Sequence, residues 1–283
     1  MNKILVLIMA IICVTVLAYG QQHWKQKNIA ASIEGKAITE KMRKKEQAKK
    51  EALIESLDPK KNKSQSLIDY LQYKAVTEDK SIVAVFGSDM TAAASASHNG
   101  AKWIELLRKS IQSENEHLAS LVFVNHGFPG YSTADLLAGK KMDLLIETYP
   151  NLVLFENPIF NNFSQSITIE QTLKDMETIM SKLNKELPNS KIIIMNPNPI
   201  INPQNENSVG QKYLDYISES EQFITENKWF YINNIKEFEK KLKRNNGLLV
   251  DILAHDYVQL NDNGNVFLYE IVIEYLSKKI IMD

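Results

Sequence analysis

Residues 81–91 read Ser-Ile-Val-Ala-Val-Phe-Gly-Ser-Asp-Met-Thr, a short unbroken apolar run that stops at Gly87 and delivers Ser88, Asp89 and Thr91. A run this short, rich in β-favouring residues and without polar alternation, reads as a strand buried on both faces. Such strands belong to parallel sheets covered by helices, because right-handed crossovers place helices on each side. The polar residues that follow then lie at the carboxyl edge of the sheet, where open α/β proteins form their sites. The rest of the chain repeats the pattern. Apolar runs at 121–124, 152–155 and 191–195 end in Asn-His-Gly-Phe-Pro-Gly-Tyr-Ser-Thr, Glu-Asn-Pro-Ile-Phe-Asn-Asn and Asn-Pro-Asn-Pro-Ile, and a further strand is expected at 229–232. Helical spacing of apolar residues predicts helices over 100–111, 168–187, 209–227 and 235–242, with Ser132 or Thr133 capping one that includes Leu136 and Leu137. A last polar loop, 255–264, precedes a helix running through Ile280. The expected fold class is α/β, a three-layer α/β/α sandwich of about five parallel strands.

Two segments of different character precede this domain. Residues 4–20 follow Lys3 directly and are apolar apart from Thr15, a length between the apolar core of a signal peptide and a full membrane span. Ala18-Tyr19-Gly20 offers a small-residue cleavage site, but Ile11 and Ile12 before Cys13 are too bulky for lipoprotein processing, and an uncleaved anchor is preferred. Residues 1–20 are read as a membrane anchor or signal segment, 21–80 as a basic helical tether and 81–283 as the domain. In the tether, Ile29, Ile33, Ile38, Met42, Leu53 and Leu57 are too sparse for a long coiled coil, and the basic run 41–50 reads as a solvated helix face. Positive charge is denser after the apolar run than before it, which by the positive-inside rule opposes export. With 283 residues, 44% hydrophobic content and a net charge of -1, the chain buries a full core and has no global attraction to nucleic acid. Its one cysteine, Cys13, excludes a disulfide framework, a Cys/His metal cluster and a cysteine nucleophile in the domain.

Four polar loops, at 87–89, 127–130, 161–162 and 256–259, converge on one edge of such a sheet. Their order and content resemble the SGNH/GDSL hydrolases over about residues 81–280, whose blocks run from Gly-Asp-Ser-Leu or Gly-Ser-Ser-Val to a final Asp-x-x-His. Asn-x-Gly-x-x-Gly-x-x-Thr at 125–133, Phe155-Glu156 ahead of Asn161, and Leu260-Asn261-Asp262-x-Gly264 support the likeness. The resemblance implies an SGNH-hydrolase/flavodoxin-like sandwich and ester hydrolysis, in which a histidine takes the serine proton, an aspartate orients the imidazole, and Gly and Asn donors hold the oxyanion. Gly130, Asn161 and Asp256 fall on matching positions. Asp89 stands where the serine nucleophile belongs, and Gln259 where the histidine base belongs, so neither an attacking hydroxyl nor a proton shuttle is in place.

Three neighbours are candidate rescuers. Ser88 is one residue early and is expected to hydrogen-bond locally; His255 reads as a surface loop histidine; His126, beside the oxyanion loop, is the first to test. Asp89 has three readings: a helix N-cap, a nucleophilic carboxylate whose acyl product would be a reactive anhydride, or an occupant of the oxyanion hole. The third is preferred, with the carboxylate accepting from Gly130 N–H and Asn161 while Gln259 donates an amide N–H. No cofactor and no metal are expected, because Asp89, Asp256 and Asn161 lack a second close carboxylate pair and the 127–130 loop lacks the Lys-Ser/Thr of a phosphate loop. Two functions stay open. One is a catalytically impaired, membrane-anchored protein of the cell envelope that binds an acylated or glycan ligand; the other is an active esterase or O-deacetylase using atypical residues. The first is preferred because two parts of the machinery are replaced. The expected partners are a membrane, through residues 4–20, and a small acyl-ester or glycan ligand, with no nucleic acid. The domain is expected on the extracytoplasmic side, or secreted if the chain is cleaved after Gly20.

Overall fold

The structure is a computed structural model that describes residues 3–78 and 80–281. The chain divides into two compact units, one ending at Ser56 and one beginning at Leu57. Helix α1 (Lys3–Leu57) runs for 55 residues, uninterrupted by proline. It stops just before Pro59, as expected where the residue preceding a proline is pushed out of the helical region. By length and composition α1 is able to cross a membrane, and its apolar part lies near the amino terminus, a feature that a signal sequence shares.

In the second unit, β1 (Ser64–Gln65) and α2 (Leu67–Glu78) lead to β2 (Ile82–Gly87). The short α3 (Asp89–Ala92) and α4 (Trp103–Glu114) carry the chain to β3 (Val122–Gly127), and α5 (Thr133–Leu137) and α6 (Lys141–Ile146) to β4 (Leu152–Glu156). Helices α7 (Ile159–Ser164) and α8 (Ile169–Glu186) precede β5 (Lys191–Met195), and α9 (Tyr213–Glu226) precedes β6 (Phe230–Ile232). Helices α10 (Asn234–Arg244) and α11 (Asp262–Ser277) and the strand β7 (Ile280–Ile281) close the unit. Strands β2 to β6 form one parallel sheet of 5 strands in the order β3-β2-β4-β5-β6.

The alternation of side chains along each strand sorts the core into two layers. Val83, Val85, Leu152, Leu154 and Ile193 pack with α2, α4, α10 and α11, whereas Ala84, Phe86, Val153, Phe155 and Ile194 pack with α5, α6, α8 and α9. Burying each such Val, Leu or Phe contributes about 1.5–3 kcal/mol, so a sheet whose central strands are apolar on both faces forms only when both are covered. This is the three-layer α/β/α sandwich anticipated from the runs at 81–86 and 152–155. The edge strand β3 differs: Val122 is exposed, and only its inner flank pairs.

Local departures from expectation have local causes. Residues 209–212 are not helical, because the Asn207 Oδ1 accepts N–H bonds from Val209 at 3.2 Å and Gln211 at 3.0 Å and holds them in a turn. The last helix ends at Ser277 rather than Ile280, since Ser64 and Gln65 pair antiparallel with Ile281 and Ile280. Helix α2 belongs to the sandwich: Leu67 and Leu71 are fully buried in its core. Tyr70 is buried beside them, where desolvation, helped by the charge of Glu78, pushes its phenol up to about 12.

Candidate functional site

Strand β2 ends at Gly87, and the turn that follows is built around a carboxylate from its neighbour. Glu156, the last residue of β4 and 3% exposed, accepts N–H bonds from Ser88 at 2.8 Å, Met90 at 3.2 Å and Thr91 at 2.7 Å. The first N–H groups of a helix have no partner within it, and here a buried side chain supplies three acceptor contacts. Burial pushes the Glu156 carboxyl above its ordinary range, the bonds from Thr91 and Ser88 pull it back, and the nearby Asp89 charge adds to the rise. The result is a fixed launch point for residues 88 and 89.

Ser88 points inward. It is fully buried, its Oγ accepts from Asn161 Nδ2 at 2.5 Å, and it lies 3.1 Å from the Phe128 carbonyl to which it donates. Asp89 points into a cleft and is half-buried. Both of its carboxylate oxygens lie 3.2 Å from the Gly130 nitrogen, whose N–H they share, and Oδ2 accepts from Asn161 Nδ2 at 2.7 Å. Gly130 has φ +80, a left-handed conformation in which other residues are strained, and that conformation presents its N–H to Asp89. Gly127 is needed for room: a Cβ there would lie 2.5 Å from the backbone nitrogen of Ala92.

The oxyanion-loop segment is clamped from beneath. Asn162, fully buried, accepts the Thr133 N–H at 2.9 Å and donates to the hydroxyls of Thr133 and Thr172 at 3.0 Å each. Thr133 in turn donates to Asp175 at 2.8 Å, and Gln165 donates to the Gly130 carbonyl at 3.0 Å. The facing wall comes from the last loop. Asn198 donates to the Val258 carbonyl at 2.6 Å, and Ser95 donates to the Leu260 carbonyl at 3.1 Å. The cleft between these walls is narrow, with a free volume of about 30 Å³, and is lined by Asp89, Asn161, Gln259, Asn198, Phe160 and Tyr213, among others.

The anticipated residues therefore separate into groups. Asp89, Gly130 and Asn161 form one hydrogen-bonded cluster, and Gln259 lines the same cleft. The anticipated Gln259 donation is absent: among the described residues no hydrogen bond joins its side chain to Asp89, and its backbone N–H goes to Asp256 Oδ1 at 2.9 Å. Asp256 is exposed and also accepts the Val258 N–H at 3.0 Å, so it fixes the backbone of its own turn instead of orienting a side chain at 259. His255 is exposed and does not line the cleft. His126 lies in β3 opposite Phe86, away from the cleft lining, with its Nε2 buried and unpartnered; burial lowers its pKa below the usual 6.5. Among the described residues, no group of three or more His, Cys, Asp or Glu side chains gathers to hold a metal. Phe160, Asn198 and Tyr213 escaped the sequence reading as cleft residues. For Asn198 a signal existed in the Asn-Pro-Asn-Pro loop after a strand; for Tyr213, an apolar position at a helix start, there was none.

An α/β/α sandwich with its polar loops gathered at the carboxyl edge, Gly and Asn donors facing the turn after the first sheet strand, defines the SGNH/GDSL hydrolase-like fold. Solved structures agree. A GDSL-like lipase from Parabacteroides merdae superposes with a TM-score of 0.57 at 13% identity, over 70% of this chain and 95% of that one. An acetyl xylan esterase gives a TM-score of 0.55 at 20% identity, over 68% of this chain and 98% of that one. A variant of an acetyl-xylooligosaccharide esterase from Geobacillus stearothermophilus gives 0.56 at 16% identity, over 72% and 97%. No family model and no curated protein matches the sequence. At these identities the likeness concerns the fold.

Proposed function

We propose that the protein is a membrane-anchored, SGNH/GDSL hydrolase-like component of the cell envelope that does not hydrolyse esters and uses its cleft to bind an acylated or glycan ligand. The observation that carries this is the Asp89 carboxylate on the Gly130 N–H and the Asn161 amide. Ester hydrolysis on this fold needs those donors free for the negative oxygen of the tetrahedral intermediate. With a carboxylate on them, the developing charge meets a charge of its own sign. The hydroxyl adjacent in sequence, Ser88, is fully buried and bonded to Asn161, Phe128 and Asp89, and Gln259 has no proton to exchange near neutral pH. Attack by Asp89 itself would give an anhydride with no imidazole in the cleft to direct water at it. The apolar amino-terminal part of α1 supplies the anchor, and the extracytoplasmic placement follows from reading that segment as an export signal or signal anchor.

Turnover of a short-chain acyl ester and of an acetylated xylooligosaccharide by the purified chain tests this, alongside Asp89→Ser, Gln259→His and the double variant. The expected result is no turnover above background for the native chain and either single variant, with measurable turnover only in the double variant. Turnover by the native chain that vanishes in Asp89→Asn would make it an esterase or O-deacetylase working through unusual residues.

A further inference from the structure

We propose that the cleft recognises a cationic amine, whose ammonium group seats against Asp89 while the acyl or sugar portion occupies the surrounding walls. The inference rests on the cleft being a binding site and adds the charge of what it binds. Two carboxylates, Asp89 and Glu156, line the cleft, and among the described residues no lysine, arginine or histidine lines it. Among the described residues neither carboxylate is in a salt bridge; the ion pairs lie elsewhere, as between Lys241 and Glu270 or Lys236 and Glu221. Gly130 N–H and the Asn161 amide are neutral dipoles, so they fix the Asp89 carboxylate without cancelling its charge. A carboxylate accepts about four hydrogen bonds, and Oδ1 of Asp89 holds only a share of the Gly130 N–H, which leaves it able to accept from a ligand.

A second, independent feature points the same way. The Tyr213 hydroxyl belongs to a residue 1% exposed that lines the same cleft, and among the described residues it has no hydrogen-bond partner. Buried hydroxyls are rarely left unpaired, and a ligand N–H is a partner this one can accept from. Gln259 also lines the cleft, and among the described residues its side-chain amide has no intramolecular partner. An ammonium carries three donors and no acceptor; Asp89 can only accept, and the Tyr213 phenol and Gln259 amide, which both donate and accept, add two further acceptor oxygens. An uncharged ester gains nothing from Asp89, and an anionic ligand is repelled by it. The shared chemistry is a primary ammonium next to an acyl or sugar group, as in an aminoacyl ester or a de-N-acetylated amino sugar.

Calorimetry on the full chain in detergent micelles, with two matched probe pairs, separates these sources. Alanine ethyl ester is compared with ethyl lactate, and the β-1,4 dimer of glucosamine with cellobiose, so that each amine is set against a hydroxyl of similar size. The expected result is that one amine probe binds about tenfold or more tightly than its hydroxyl partner. That preference is lost in Asp89→Asn and reduced several-fold in Tyr213→Phe, with thermal unfolding of both variants reporting an intact fold. The pair that shows the preference names the source. Equal binding within both pairs overturns the amine inference and leaves a neutral-ligand cleft standing. Failure of all four probes to bind also overturns it. Ester turnover by the native chain overturns the non-hydrolytic function instead, and the sugar pair, which holds no ester, then decides the amine question alone.

Discussion

His126 is a half-buried imidazole in the edge strand and outside the cleft, and its buried Nε2 has no partner among the described residues. Desolvation lowers its pKa from 6.5, so between that value and the folded one the unfolded chain binds the extra proton and the native chain does not. Stability tied to His126 is therefore full above about pH 6.5 and drains as pH falls toward the folded value. His126→Leu removes an unpaired buried nitrogen. It is expected to match or raise the unfolding free energy at pH 7.5 by up to about 1 kcal/mol and to flatten the loss between pH 7 and pH 5. Denaturant titrations at several pH values decide it; a variant with the native pH slope would show that another group is responsible. At the same scale, Asp89, Gly130 and Asn161 were legible because motif spacing fixes which loops meet at a sheet edge. Which atoms then bond is not encoded in spacing. Asp256 spends its carboxylate on two backbone N–H groups three residues or fewer away, a local competition that an Asp-x-x-Gln pattern does not reveal.

Helices α5, α7 and α8 meet at Asn162, and its three side-chain bonds make it the joint that positions the Gly130 loop. Asn162→Ala strands the buried Thr133 N–H and removes a donor from the Thr133 and Thr172 hydroxyls, which keep their own bonds to Asp175 and the Thr168 carbonyl. The expected cost is about 2–4 kcal/mol, summing the lost bonds and the unpaired donor. Hydrogen exchange at Thr133 and Gly130 should quicken with it, since the loop would lose its clamp; exchange that changes uniformly across the sheet, or nowhere, would refute the coupling. The elements themselves were largely readable in advance. Runs such as 152–155 and 191–195 can be satisfied only between two helical layers, and the 18-residue amphipathic α8 has one apolar stripe. The failures fell where a neighbouring side chain or a distant strand decides the backbone. Asn207 unwinds the start of the expected 209–227 helix, and the pairing of Gln65 with Ile280 draws the carboxyl terminus into a ladder too short to carry any periodicity.

For the whole molecule, the decisive contrast is between a domain whose apolar residues are buried on both faces of a sheet and an amino-terminal helix whose apolar residues from Ile4 to Leu17 are exposed. Ile4, Leu7, Ile11 and Leu17 of α1 are more than half exposed, whereas Val83, Leu154 and Ile193 are fully buried. Side chains that find no protein partner need another apolar phase, and a stretch from residue 4 to 19 is close to the roughly 20 residues that a bilayer core requires. Charged side chains at the centre of such a stretch cost about 2.5–3.5 kcal/mol each on insertion. Replacing Ile8 and Ile12 by Lys is therefore expected to move the chain from the membrane fraction to the soluble one after alkaline carbonate extraction, while the native chain stays with the membrane. Trypsin added to intact cells from which the outer layers have been stripped reads the side. The lysine-rich run 41–50 should be cleaved if the second unit faces out and protected if the positive-inside bias governs insertion. Native protein released by carbonate would leave the helix without a membrane role. Protection from trypsin would instead put the second unit in the cytoplasm, and with it any ligand its cleft takes.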